Sequence, residues 1–339
     1  RVLGVKILAV GAMVPLSVLA WRRRIVTRAE AGVAAVVVLA AALLSAYPLP
    51  APPAARAEAV ARRLPADPGL PRPGDLTLAA RAGTVLVALT VRPGRPGRND
   101  LLIYVEPLSG QRAAARLPVH VSIDGRSIRV HECSDWCRSG SVMLSDRARV
   151  SVRVKGRMGG TARFEVPRLP APPGAALFRR LQQRMDSLRT YRVREVFDTG
   201  LSTIRSTYEF QAPDRLRVSE PSGFKLVWIG RTRYQQQAKG SGWLVQPGGT
   251  RYSVPSFIWG YVPDRRFDFR VVGHAEVDGR RTRILSFYGP ESSASYWFRL
   301  WVDPRGLVRR AEMRAGGHFM DQTFDRFDAP MQVKAPIEP

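Results

Sequence analysis

Two apolar runs, residues 2–20 and 31–47, flank the short basic loop Trp21-Arg-Arg-Arg-Ile-Val-Thr-Arg28, and no other feature restricts the fold of this chain as strongly. Each run approaches the ~20 residues that carry a helix across the hydrocarbon core of a bilayer. Short Arg-rich loops stay on the cytoplasmic side. The pattern predicts two transmembrane helices within residues 1–48, an internal connection, and a location at the cytoplasmic membrane with everything after residue 48 extracytoplasmic. Trp21 and Tyr47 fall where interfacial aromatics are favoured, and Lys6 can snorkel to the headgroups. A secretory signal is the competing expectation, because the basic loop, the second run and residues 48–59 resemble its three regions, but it leaves the first run without a role. Opening on Arg1 directly into an apolar run fits the C-terminal portion of a longer polypeptide.

Residues 49–74 hold Pro50, Pro52, Pro53, Pro65, Pro68, Pro71 and Pro73, the composition of a semi-rigid spacer. Residues 75–167 then read as about seven short strands divided by turn formers, which predicts a small immunoglobulin-like β-sandwich. A second Pro-rich stretch, residues 169–174, reads as a linker. The last domain, residues 168–339, begins with an amphipathic helix over 175–189 that places Leu177, Leu181, Met185 and Leu188 on one face. Roughly ten strands follow, joined by turns such as Asp278-Gly279 and Asp303-Pro-Arg-Gly306. A long antiparallel meander tends to curl, and one helix can plug its inner face. The expected fold class is mainly β: two N-terminal transmembrane helices, the sandwich, and a curled antiparallel half-barrel over an α-helix.

Charge narrows the partners. Lys plus Arg number 53 against 28 Asp plus Glu, a net charge of +25. The excess is Arg scattered along strands rather than clustered, and no recognition-helix, zinc-finger or RNP-like pattern accompanies it, so nucleic acid is not an expected partner. Attraction to anionic headgroups is compatible with a domain beside a membrane. Asp264, Asp268, Asp321, Asp325 and Asp328 are interleaved with Arg and read as solvated strand faces.

Two sets of residues point to chemistry. Cys133 and Cys137, in His131-Glu-Cys-Ser-Asp-Trp-Cys137, are expected to oxidise to a structural disulfide outside the membrane. The competing reading is a Cu(I) site in which the two thiolates are joined by His131 and Met143. In the last domain, Phe224, Trp228, Trp243, Trp259, Tyr296 and Trp301 are either core or the lining of a cavity for an acyl chain. His120, His131, His274 and His318 are isolated, and neither a Gly-x-Ser-x-Gly elbow nor a His-Glu-x-x-His pair occurs, so no enzymatic activity is expected.

Family resemblance gathers these expectations. The segment Arg22-Arg-Arg-Ile-Val-Thr-Arg-Ala-Glu30, with residues 32–44 and Pro48, resembles the end of the CopD-type copper transport and resistance membrane domain. Pro93-Gly-Arg-Pro-Gly-Arg-Asn99 and Arg163-Phe-Glu-Val-Pro-Arg-Leu-Pro170 are similar to a small extracytoplasmic domain appended to some members. That family's His and Met ligands belong to earlier helices, and only Met13 falls in a transmembrane run here. From Leu177 on, the chain resembles the LolA/LppX-type lipoprotein-carrier fold. This rests on Tyr208-Glu-Phe-Gln-Ala-Pro-Asp-Arg215, Val227-Trp-Ile-Gly230, Arg233-Tyr234, Gly242-Trp243, Trp301-Val-Asp303, Gly317-His-Phe-Met320 and Phe327-Asp-Ala-Pro330. The first resemblance implies copper ion transport or resistance, with copper as the bound ion. The second implies a hydrophobic cavity for lipid or lipoprotein, as in a membrane-tethered carrier or envelope sensor, and no catalytic residues.

Overall fold

A computed structural model describes residues 68–107, 117–144, 146–200, 202–254, 266–290 and 295–338. The chain divides into two compact units, Arg1–Leu64 and Pro65–Pro339, and all described residues belong to the second. The described residues are mainly β with one helix, and not the expected combination with two transmembrane helices. Residues 1–48, on which the two transmembrane helices were expected, lie outside the described residues. Among the described residues the one helix is α1 (Ala175–Asp186), and no helix is long and apolar enough to cross a membrane. At 1.5 Å per residue α1 spans about 18 Å, well short of the ~30 Å core, and its Arg and Gln face rules out immersion in lipid.

Residues 76–166 form nine strands in two sheets. β1 (Leu76–Ala82), β2 (Val85–Arg92), β3 (Gly97–Pro107), β6 (His131–Ser134) and β7 (Cys137–Leu144) make one sheet in the order β1-β2-β3-β7-β6. β4 (Val119–Ile123), β5 (Arg126–Ile128), β8 (Ala148–Val154) and β9 (Gly160–Val166) make the other, in the order β5-β4-β8-β9. Alternate residues from both sheets fill the space between them, among them Leu76, Val87, Leu89, Ile103, Val150, Val152 and Phe164.

The remaining strands are β10 (Thr190–Asp198), β11 (Thr203–Gln211), β12 (Arg215–Ser219), β13 (Lys225–Ile229), β14 (Thr232–Gln236), β15 (Leu244–Gln246), β16 (Phe267–Val277), β17 (Arg280–Pro290), β18 (Ser295–Val302), β19 (Val308–Ala315) and β20 (His318–Asp325). They form one antiparallel sheet in the order β15-β14-β13-β12-β11-β10-β20-β19-β18-β17-β16, so β10, the first strand in sequence, lies in the middle. α1 packs on one face of this sheet. Pro172 and Pro173 precede it, Gly174 caps it without a side-chain bond, and Leu177, Phe178, Leu181 and Met185 are its buried stripe. A Cβ at 174 would stand 2.2 Å from Leu285 Cδ1, so any larger residue there must displace that buried side chain.

The opposite face of the long sheet is covered by the sandwich over its β16–β20 part. Ala79, Leu86, Ala88 and Tyr104 meet Tyr288, Trp297, Phe319 and Phe267. Ser286 Oγ donates to the Thr77 carbonyl (2.7 Å), and Arg81 bonds Asp198 across the junction. β2 is consequently buried on both faces, which explains its unbroken apolar run where a half-exposed strand would alternate. Residues 169–174 are part of this packing: Leu169 and Ala171 are 3% and 4% exposed in the sandwich core, and the Val271 and Gly174 amides bond Pro172 O and Phe269 O.

Candidate functional site

In a β-sheet directly paired residues share a face, so register shows which side chains line the helix side. Tyr191 and Val193 belong to the α1 core. Following their partners outward gives one row of Tyr191, Phe210, Leu216, Trp228 and Arg233, and a second of Val193, Tyr208, Val218, Leu226 and Gln235. α1 occupies the β16–β20 flank, packed on Leu285, Phe287, Phe298, Leu300 and Val302. The rows continue past it onto β11–β13. There the Tyr191 and Phe210 rings stack at 4.6 Å, Tyr208 lies 6.2 Å from Phe210, and Trp228 lies 5.1 Å from Tyr252. Burial pushes the Tyr191 and Tyr252 hydroxyls above their ordinary range, as expected of phenols in an apolar setting.

A third row is polar. Glu195, Ser206 and Gln322 are buried side by side, with Glu195 accepting from Tyr208 Oη (3.0 Å) and from Gln322 Nε2. Burial raises the Glu195 carboxyl above its ordinary value, opposed by those two hydrogen bonds. Ser206 Oγ faces Glu220 at 3.4 Å.

The aromatic residues singled out from sequence do not share this surface. Trp228 and Tyr296 are on the helix side, Tyr296 packing beside Phe298 at 6.3 Å. Phe224 is half-buried at the turn before β13. Trp243 belongs to the opposite face with Val227, Tyr234 and Val333. Trp301 is also on the opposite face, among the guanidinium groups of Arg299 (5.6 Å) and Arg310 (4.6 Å). Trp259 lies outside the described residues. Tyr191, Tyr208, Phe210, Tyr252, Glu195 and Arg233 were not among the expected cavity residues; parity along each strand would have selected all but Tyr252.

The expected copper ligands are not gathered. Cys133 and Cys137 form a disulfide with Cα atoms 5.1 Å apart. His131 Nε2 bonds Ser139 Oγ at 2.9 Å, and Met143 is 76% exposed, paired with Arg98 on β3. No group of three or more His, Cys, Asp or Glu side chains placed to hold a metal ion occurs among the described residues. A bridge closing so short a loop, sequence separation 4, contributes about 2 kcal/mol by chain entropy. The double variant C133S/C137S is expected to lose roughly that amount in denaturant unfolding and to keep its affinity for an acyl-chain probe, because the hairpin β6–β7 is remote in the fold from β11–β14.

The interleaved Asp and Arg residues divide the same way. Asp321, Asp325 and Asp328 pair with Arg314, Arg192 and Arg184. Asp264 lies outside the described residues, and Asp268 is the departure. It is buried at φ +60° at the start of β16, takes the Gly74 amide on Oδ1 (2.6 Å), and leaves Oδ2 without a hydrogen bond.

No family model matches the chain, and no curated protein matches it. Solved structures with a similar fold include the Mycobacterium tuberculosis lipoprotein LppX, at 14% identity over 47% of this chain and 97% of that one (TM-score 0.36). LprF from Mycobacterium bovis matches at 12% identity, 50% and 100% coverage, and TM-score 0.37. A DUF1329 family protein from Desulfovibrio piger matches at 15% identity, 48% and 95% coverage, and TM-score 0.25.

Proposed function

We propose that the chain binds the acyl part of a lipid or lipoprotein against the helix side of the long sheet, as a carrier or envelope sensor and not as a catalyst. The observation that carries this reading is the pair of apolar rows that runs from the α1 core through Phe210, Leu216, Val218, Leu226 and Trp228 on the helix side of β11–β13, where Leu226 and Trp228 are half-buried. The Cys133–Cys137 disulfide supports an extracytoplasmic location, where such a bond persists.

The test is lipid extraction and mass spectrometry of the full chain purified from membranes without delipidation, combined with titration of a fluorescent fatty-acid analogue. Co-purifying lipid and saturable probe binding are expected. Leu226→Glu places a carboxylate against the bound chain at a half-buried position; it is expected to weaken the probe at least about tenfold, the effect of an unpaired charge against hydrocarbon, with little loss of stability. An empty preparation that also fails to bind the probe would overturn the proposal.

A further inference from the structure

Two donors on the binding surface have nothing to donate to. Trp228 and Arg233 are direct cross-strand partners in the first row, and both Trp228 Nε1 and Arg233 Nε are buried without a hydrogen-bond partner. Arg233 Nη2 donates to Gln235 Oε1 at 2.7 Å, and no carboxylate among the described residues pairs with the guanidinium. Buried donors are nearly always satisfied, so two on the helix-side rows are suited to share one acceptor. One of the two carries a full positive charge, which selects an anionic acceptor.

We infer that Trp228 and Arg233 receive the oxyanion head, carboxylate or phosphate, of an acyl-chain amphiphile whose tail runs along Leu216, Phe210 and Tyr191 toward α1. This rests on the acyl-binding reading above and assigns the polar end of the same ligand. Orientation follows from charge. Across the sheet the polar row holds Glu195 and Glu220, which repel an oxyanion, so the head lies at the β13–β14 end. The indole N–H and the guanidinium fork supply donors to one oxygen group, and the ring of Tyr252 against Trp228 keeps the indole in place.

The experiment compares oleate, oleoyl lysophosphatidate and monoolein on the full chain, with inorganic phosphate as a competitor and Trp fluorescence as a second readout. The two anions are expected to bind at least about tenfold more tightly than monoolein, as a charge-assisted pair provides, and to perturb indole emission. Arg233→Gln should bring all three to the level of monoolein. Arg233→Lys, which keeps charge and loses the fork, should retain part of the preference, and Trp228→Phe should weaken the anions alone. Equal binding of oleate and monoolein, or a preference that survives Arg233→Gln in a folded protein, would overturn the head-group assignment and leave acyl binding intact. Binding of no probe would overturn both, and full displacement by phosphate would show an ion site with no role for the chain.

Discussion

Trp297→Ala is expected to lower the stability of the chain by about 3–5 kcal/mol, the cost of truncating a fully buried aromatic, while the folded protein keeps its affinity for an acyl probe. Trp297 is 2% exposed and lies 5.2 Å from Tyr288 and 5.8 Å from Tyr104, one ring on each side of the junction between sandwich and long sheet. Its Nε1 has no partner, so truncation also removes an unsatisfied donor, which places the expected loss toward the lower end. Denaturant unfolding followed by circular dichroism, alongside probe titration, measures both quantities. A loss below about 1 kcal/mol, the scale of an exposed substitution, would show that the sandwich is not docked as described. A selective loss of probe binding would place Trp297 on the ligand face.

The second large effect is a pH dependence centred on Asp268. Burial, followed by the nearby Asp75 carboxylate, outweighs the Gly74 amide, Arg270 and Arg92 and pushes this carboxyl up from 3.8 to about 7. The folded chain therefore holds a proton between about pH 4 and 7 that the unfolded chain has released. The contribution to stability is complete below pH 4 and is lost as pH rises through 7. At about 1.4 kcal/mol per unit the ceiling is about 4 kcal/mol. Asp268→Asn keeps an acceptor for the Gly74 amide, tolerates the positive φ and carries no charge. Its stability is expected to exceed that of the unsubstituted chain at pH 8, to match it near pH 4, and to change little between. Parallel curves for the two proteins across that range would refute the assignment.

How much of this was legible in the sequence depends on the kind of signal. The strand series of the long sheet and the helix before it follow from period and turn chemistry, and the helix ends at Asp186, three residues earlier than expected. The disulfide follows from spacing and compartment. Contacts between distant strands were harder. Residues 169–174 read as a linker because they are rich in Pro, yet a Pro-rich segment can lie extended with every second residue buried, as Leu169 and Ala171 do. Choosing ligand residues by aromatic type gathered Trp243 and Trp301 with Trp228, although strand parity puts the first two on the other face. Asp268 resembled its neighbours until a fold 194 residues apart in sequence brought the Gly74 amide to it.

β2 belongs to two interiors at once, and this divides its sequence by parity. Val85, Val87, Leu89 and Val91 face the sandwich core, while Leu86 and Ala88 face the long sheet. A substitution scan along this one strand is thus an internal differential gauge: odd positions report the cohesion of the sandwich, and even ones report how firmly it grips the ligand-binding sheet.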